Sequence, residues 1–155
     1  MAQESMITDE VRAAIGIEVV GPPELIEMKA IRDYAIAINW PDPANPLHVD
    51  TEYAKSTRFG GIIAPWTFYT SLGHSVTRQP LPLPTPRVRM NGGNDYEYFQ
   101  PIRPADVITT TSKIVDISER EGRAGRLVFI VAERTFINQR GEVVGISRGT
   151  SISQY

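Results

Sequence analysis

The chain contains no cysteine in its 155 residues. That absence excludes disulfides, thiolate nucleophiles and cysteine-ligated metals together, and removes the usual guide to redox compartment. Histidine is nearly as scarce, with only His48 and His74. Two imidazoles at that separation give no metal-ligand spacing, so no metal is expected. No apolar run approaches the roughly 18 residues of a membrane-crossing helix. Met1-Ala2-Gln3-Glu4-Ser5 lacks the basic start and apolar core of a secretory signal. Charge of one sign is also missing: 16 basic against 18 acidic residues leave a net charge of −2. That balance gives no electrostatic case for nucleic acid or an anionic membrane as partner. Phosphate-cradling glycine loops, internal repeats and low-complexity segments are likewise absent. What remains is the expectation of a cytoplasmic protein with one domain over residues 1–155, of which 1–8 are flexible.

The segment richest in chemistry is Asn45-Pro46-Leu47-His48, with Asp42 just upstream. An imidazole beside a carboxylate is a ready general base near neutral pH. Prolines at 41, 43 and 46 fix φ at three points and would hold these polar groups in place. The same residues also suit a plain proline-rich turn in which Asn45 forms an Asx turn and His48 fills a crevice.

Periodicity divides the chain into a helical front and a strand-rich back. A short helix is expected over residues 9–15, after a Thr8 cap and before Gly16. Ala30, Ile31, Tyr34, Ala35 and Ile38 form one apolar stripe, predicting a helix over 28–38 that stops before Pro41. Asp50 reads as the cap of a short helix over 52–56. Pro65 suits the first position of a longer helix over 65–76, apolar on more than one side and therefore buried, with His74 packed in the core. Four prolines make 79–86 an extended linker. From Arg87 onward the period changes to two, with strands expected at 96–99, 107–117, 126–138 and 143–153. The glycines in Asn91-Gly92-Gly93-Asn94 suit a bulge, or a backbone lying near an acyl chain. Arg120, Arg123 and Arg126 sit at a turn, as a solvated hairpin tip or as contacts for phosphates. Helices first and an antiparallel sheet second is an α+β pattern built round one apolar helix.

Four stretches carry a family likeness. They are Asn45-Pro46-Leu47-His48-Val49-Asp50, Glu52-Tyr53-Ala54, Gly60-Gly61-Ile62-Ile63-Ala64-Pro65-Trp66-Thr67-Phe68, and Phe99-Gln100-Pro101-Ile102-Arg103-Pro104-Ala105-Asp106. In this order they resemble the MaoC-like dehydratases of the hot-dog fold, especially the N-terminal half of double hot-dog members. The resemblance implies a single hot dog, with a long antiparallel sheet wrapped round a central apolar helix. It also implies reversible hydration of an enoyl thioester, with coenzyme A or a carrier protein as part of the substrate and no separate cofactor.

By the same resemblance, Asp42, Asn45 and His48 form the catalytic set. Gly61, Pro65, Trp66 and Tyr69 line the substrate, with the Trp66 N–H holding the thioester oxygen. The family pattern Asp-x-Asn-Pro-x-His puts the carboxylate five before the histidine. Here that position is Pro43, and Asp42 lies six before His48. Ala105 stands where the family's Pro-Gly-Asp turn has glycine. Three readings follow: an active hydratase; a non-catalytic acyl-binding subunit of a heteromeric dehydratase; and a hot-dog thioesterase. The third ranks last, because residues 62–76 hold no Asp or Glu. The first two imply a homodimer, or a heterodimer with a second hot-dog subunit, since a lone hot dog leaves a bare sheet edge.

Overall fold

The computed structural model describes residues 4–77, 80–123 and 125–155. Its frame is one five-stranded antiparallel sheet of order β1-β3-β4-β5-β2. The strands are β1 (Val19–Leu25), β2 (Val88–Tyr98), β3 (Val107–Gly122), β4 (Gly125–Ile137) and β5 (Val143–Gln154). Strands β3, β4 and β5 form the expected meander, and β2 extends well ahead of residue 96. Strand β1 has no counterpart in the sequence reading. Pro22 and Pro23 interrupt its pattern, and its register with β3 shifts between Val20 and Pro23. A second shift between Asn91 and Gly93 is the bulge anticipated there.

The helices are α1 (Asp9–Arg12), α2 (Met28–Asn39), α3 (Pro46–Val49) and α4 (Thr51–Ser56). Thr8 caps α1 through Val11 N–H, and α1 ends before the expected Ile15, which instead bridges to Ile114. Asp50 Oδ1 accepts from Glu52 and Tyr53 N–H, so α4 begins as its cap predicts. Helix α2 buries Ile31 and Ala35, and Ile31 joins the core of Phe68, Tyr69, Ile108, Phe136 and Val144.

The long helix expected over 65–76 does not form. The segment makes a 3₁₀ turn, Trp66–Ser71, and then extends at Leu72. Side-chain competition explains the early stop: Thr70 Oγ1 donates to Thr67 C=O and Ser71 Oγ to Phe68 C=O, each three residues back. Gly73 then turns left-handed at φ +72°. His74 therefore lies exposed beyond the turn rather than packed in the core. Of the expected linker, Gln79 lies outside the described residues, and 80–86 has no regular structure.

A second core cluster joins Ile7 and Val11 to Ile114, Ile117 and Val128. Residues 1–3 of the segment expected to be flexible lie outside the described residues. Ile7 is buried, and Met6 N–H donates to Glu119 at 3.1 Å. Arg126, expected at a solvated hairpin tip, is buried: it pairs with Glu121 at 2.7 Å and Glu119 at 3.7 Å, and donates to Glu4 C=O. Among the described residues no helix is long and apolar enough to cross a membrane.

Candidate active site

His48 lies in the short helix α3, started by Asn45, whose side-chain oxygen accepts from Leu47 N–H at 3.0 Å. Asn45 is exposed and acts here as the cap. The half-buried imidazole is fixed from the other side. Its Nδ1 lies 2.7 Å from the Ile63 carbonyl oxygen. A carbonyl only accepts, so in the neutral ring Nδ1 carries the hydrogen and Nε2 keeps its lone pair. Main-chain geometry thus presets the tautomer that a general base needs.

The segment that accepts this bond leads straight into the 3₁₀ turn, with Ile63 three positions ahead of Trp66. That segment is pinned twice more. Ala64 N–H donates to Ile102 C=O at 2.8 Å, and Arg103 Nη2 donates to Phe59 C=O at 2.8 Å beside Gly61. Gly60 turns left-handed at φ +65°, which a β-branched residue would resist. Pro65 is buried and caps the turn, and the first turn bond runs from Phe68 N–H to Pro65 C=O at 2.8 Å. The Trp66 N–H lies ahead of that ladder and is left available.

Asp42 is placed differently. It is exposed, and no hydrogen bond or ion pair joins it to His48 or to another described residue. The imidazole is oriented by Ile63 rather than by a carboxylate. Tyr69, expected to line the substrate, is 2% exposed, and its hydroxyl donates to Val144 C=O at 2.8 Å and lies 3.2 Å from Gln100 C=O. Burial pushes its phenol above the ordinary tyrosine range. Its ring sits over Gly145, where an added Cβ would lie 2.6 Å away. Tyr69 therefore anchors the turn to β5.

Trp66 is 41% exposed, and its ring meets Tyr98 at 5.2 Å, with Tyr98 stacked on Tyr96 at 6.0 Å. Sequence reasoning passed over these two tyrosines; their signal was the period-two aromatic pair on one face of β2. On the other side of the turn, Tyr34, Phe68 and Leu72 help to line a cavity of about 490 Å³. Among the described residues no cluster of three or more His, Asp or Glu could hold a metal.

A family model described as "FAS1-like, dehydratase domain region" matches residues 13–146. The chain belongs to that family. A UPF0336 protein of Thermobifida fusca is 34% identical over 110 residues, spanning 68% of this chain and 69% of the relative. A "Probable enoyl-CoA hydratase alpha subunit" of Thermomonospora curvata is 28% identical over 121 residues, spanning 67% of this chain and 38% of the relative. Among solved structures, the MaoC-like dehydratase of Rhodospirillum rubrum superposes with TM-score 0.69 at 25% identity, over 91% of this chain and 92% of that one. The Mycobacterium tuberculosis HadBC complex, a 3R-hydroxyacyl-ACP dehydratase, shares the fold at TM-score 0.74 and 18% identity, over 90% of this chain and 97% of that one. The fold is thus the hot dog of the MaoC-like dehydratases, and hydratase or dehydratase chemistry is the general character of the family.

Proposed function

We propose that the protein hydrates the 2,3 double bond of an enoyl thioester, or removes water in the reverse direction. The observation that carries this reading is the His48–Ile63 bond, which leaves Nε2 basic and places the ring beside the entry to the Trp66 turn. His48 Nε2 takes a proton from water as its oxygen bonds to C3, and the proton returns to C2. Meanwhile the thioester oxygen gains enolate character and accepts from the Trp66 N–H. One aimed N–H at a developing oxyanion contributes about 10²–10³ in rate. Coenzyme A, or a carrier's pantetheine, enters as part of the substrate.

The sheet edges support an assembly of two hot dogs. Edge strand β1 is blunted by Pro22 and Pro23, whereas edge strand β2 has no proline and leaves Val88, Met90 and Tyr98 exposed. An open edge beside the Trp66–Tyr98 contact would bring a second subunit to the margin of the site. The isolation of Asp42 favours a second reading in which this chain binds the acyl group and a partner hot dog supplies the carboxylate. Heteromeric names among similar proteins agree with it.

The test is loss of enoyl absorbance from crotonyl-CoA and longer 2-enoyl-CoA esters. Activity of the protein alone, lost by at least 100-fold in His48→Ala and strongly reduced in Asp42→Asn, supports the hydratase in which Asp42 is recruited. Activity only after a second hot-dog subunit is added, with Asp42→Asn silent, supports the subunit reading. No turnover under either condition overturns both.

A further inference from the structure

The inner face of the sheet is more polar than a hydrophobic fold of this kind requires. Alternation puts Val128, Ala132, Arg134 and Phe136 of β4 on that face, and Val128 and Phe136 are core residues. The outer face, by contrast, carries a closed charge ladder. Lys113 and Arg148 both pair with Glu133, and Arg148 also pairs with Glu97. Every charge in that ladder has its opposite.

Nothing comparable meets Arg134. It lies across from Ser112 on β3 and Ser147 on β5, and Ser147 lies across from Tyr96 on β2. Arg134, Ser147 and Tyr96, together with Arg89, Asn94 and Ser151, line a trough of about 460 Å³. The lining holds two guanidinium groups and no carboxylate, in a chain whose net charge is −2. Among the described residues no hydrogen bond or ion pair engages the side chain of either arginine. Beside Arg134 the Ser112 hydroxyl is buried with no partner, at 2% exposure of its residue. Arg89 is exposed, but Arg134 is half-buried, and a half-buried guanidinium without a partner is costly unless something binds it.

An alkyl chain would make that cost worse, and an oxyanion would relieve it, because guanidinium groups pair with carboxylate and phosphate by charge-assisted hydrogen bonds. An aromatic row runs between the two places: Tyr96, which lines the trough, stacks on Tyr98, and Tyr98 meets Trp66. The geometry points to an oxyanion subsite for the substrate, with Arg134 and Arg89 binding a carboxylate at the far end of the acyl group. This rests on the thioester reading given above. The protein would accordingly prefer a dicarboxylic monothioester to a simple alkyl one. Within such a substrate the coenzyme's phosphates are the other source of the same chemistry.

Calorimetry separates these. Saturated glutaryl and adipyl monothioesters are compared with pentanoyl and hexanoyl ones, first on phosphate-free pantetheine and then on coenzyme A. The expected result is tighter binding of the carboxylated esters by about tenfold or more on both carriers. That preference should collapse in Arg134→Gln and survive in part in Arg134→Lys. Equal affinity for charged and uncharged tails, or a preference indifferent to Arg134→Gln, overturns the inference. Arg134→Gln weakening all coenzyme A esters alike, with no effect on pantetheine esters, overturns the acyl-carboxylate assignment in favour of phosphate. The wild-type comparison decides even if a variant fails to fold. Saturated esters cannot be hydrated, so a failed hydration assay leaves this result standing, and an absent preference leaves the hydratase reading standing.

Discussion

At the scale of single residues, two backbone facts decide most. The Ile63 carbonyl chooses the His48 tautomer, so a neutral ¹⁵N-labelled ring should show its hydrogen on Nδ1 in long-range correlation spectra; a hydrogen on Nε2 would contradict the assignment. Ala105 adopts φ +68°, a left-handed conformation that strains any residue with a Cβ. Ala105→Gly should therefore stabilise the turn by up to about 1 kcal/mol, read as a rise of about 2–4 °C in Tm for a chain of this length. The turn has reason to be kept, because Asp106 accepts from Arg103 N–H at 2.8 Å and from Gln139 Nε2 at 3.0 Å. A lowered Tm in the glycine variant would mean that unfolded-chain entropy outweighs the strain.

At the scale of elements, the 3₁₀ turn stands or falls with its seat on β5. Gly145→Ala would drive a methyl into the Tyr69 ring, with an expected loss of about 1–3 kcal/mol. Tyr69→Phe removes a buried hydroxyl bond and should cost about 1 kcal/mol in chemical denaturation, with Val144 C=O still accepting from Phe99 and Gln100 N–H. The segment before α1 is held by charge. Hydrogen bonds from the Ser5 hydroxyl and Met6 N–H, with Arg126 and Arg12 nearby, hold the Glu119 carboxyl below its ordinary range. Because the folded value is the lower one, this tether is fully present above the ordinary glutamate range and is lost as pH falls through the folded value. The protection of the Met6 amide, its exchange measured against the intrinsic rate at the same pH, should fall on acidification and in Glu119→Gln, and unchanged protection would contradict the tether.

These elements also show what could be read in the chain. Helix α2 and strands β3 to β5 were legible because their apolar spacing is regular and their burial follows it. The 65–76 helix misled because its apolar pattern is helical, whereas Thr70, Ser71 and Gly73 act locally to end it. Strand β1 was hidden by its two prolines. At the site, His48 stood out as a scarce residue in a stiff loop. The relation of Asp42 to it depends on loop geometry that residue spacing does not encode.

At the scale of the whole molecule, the asymmetry of the sheet edges governs assembly. Proline-blunted β1 and open β2 predict pairing through β2 alone, giving a closed dimer rather than a fibre. Light scattering at micromolar concentration should return twice the 17.2 kDa of one chain, and a monomer would contradict the account.

The most direct test of the whole reading is the rate of water addition to crotonyl-CoA by the purified protein, supplemented where needed with a second hot-dog subunit, against the same preparation carrying His48→Ala with an unchanged melting curve. Turnover that falls at least 100-fold in the variant is the predicted result; equal rates in the two would contradict it.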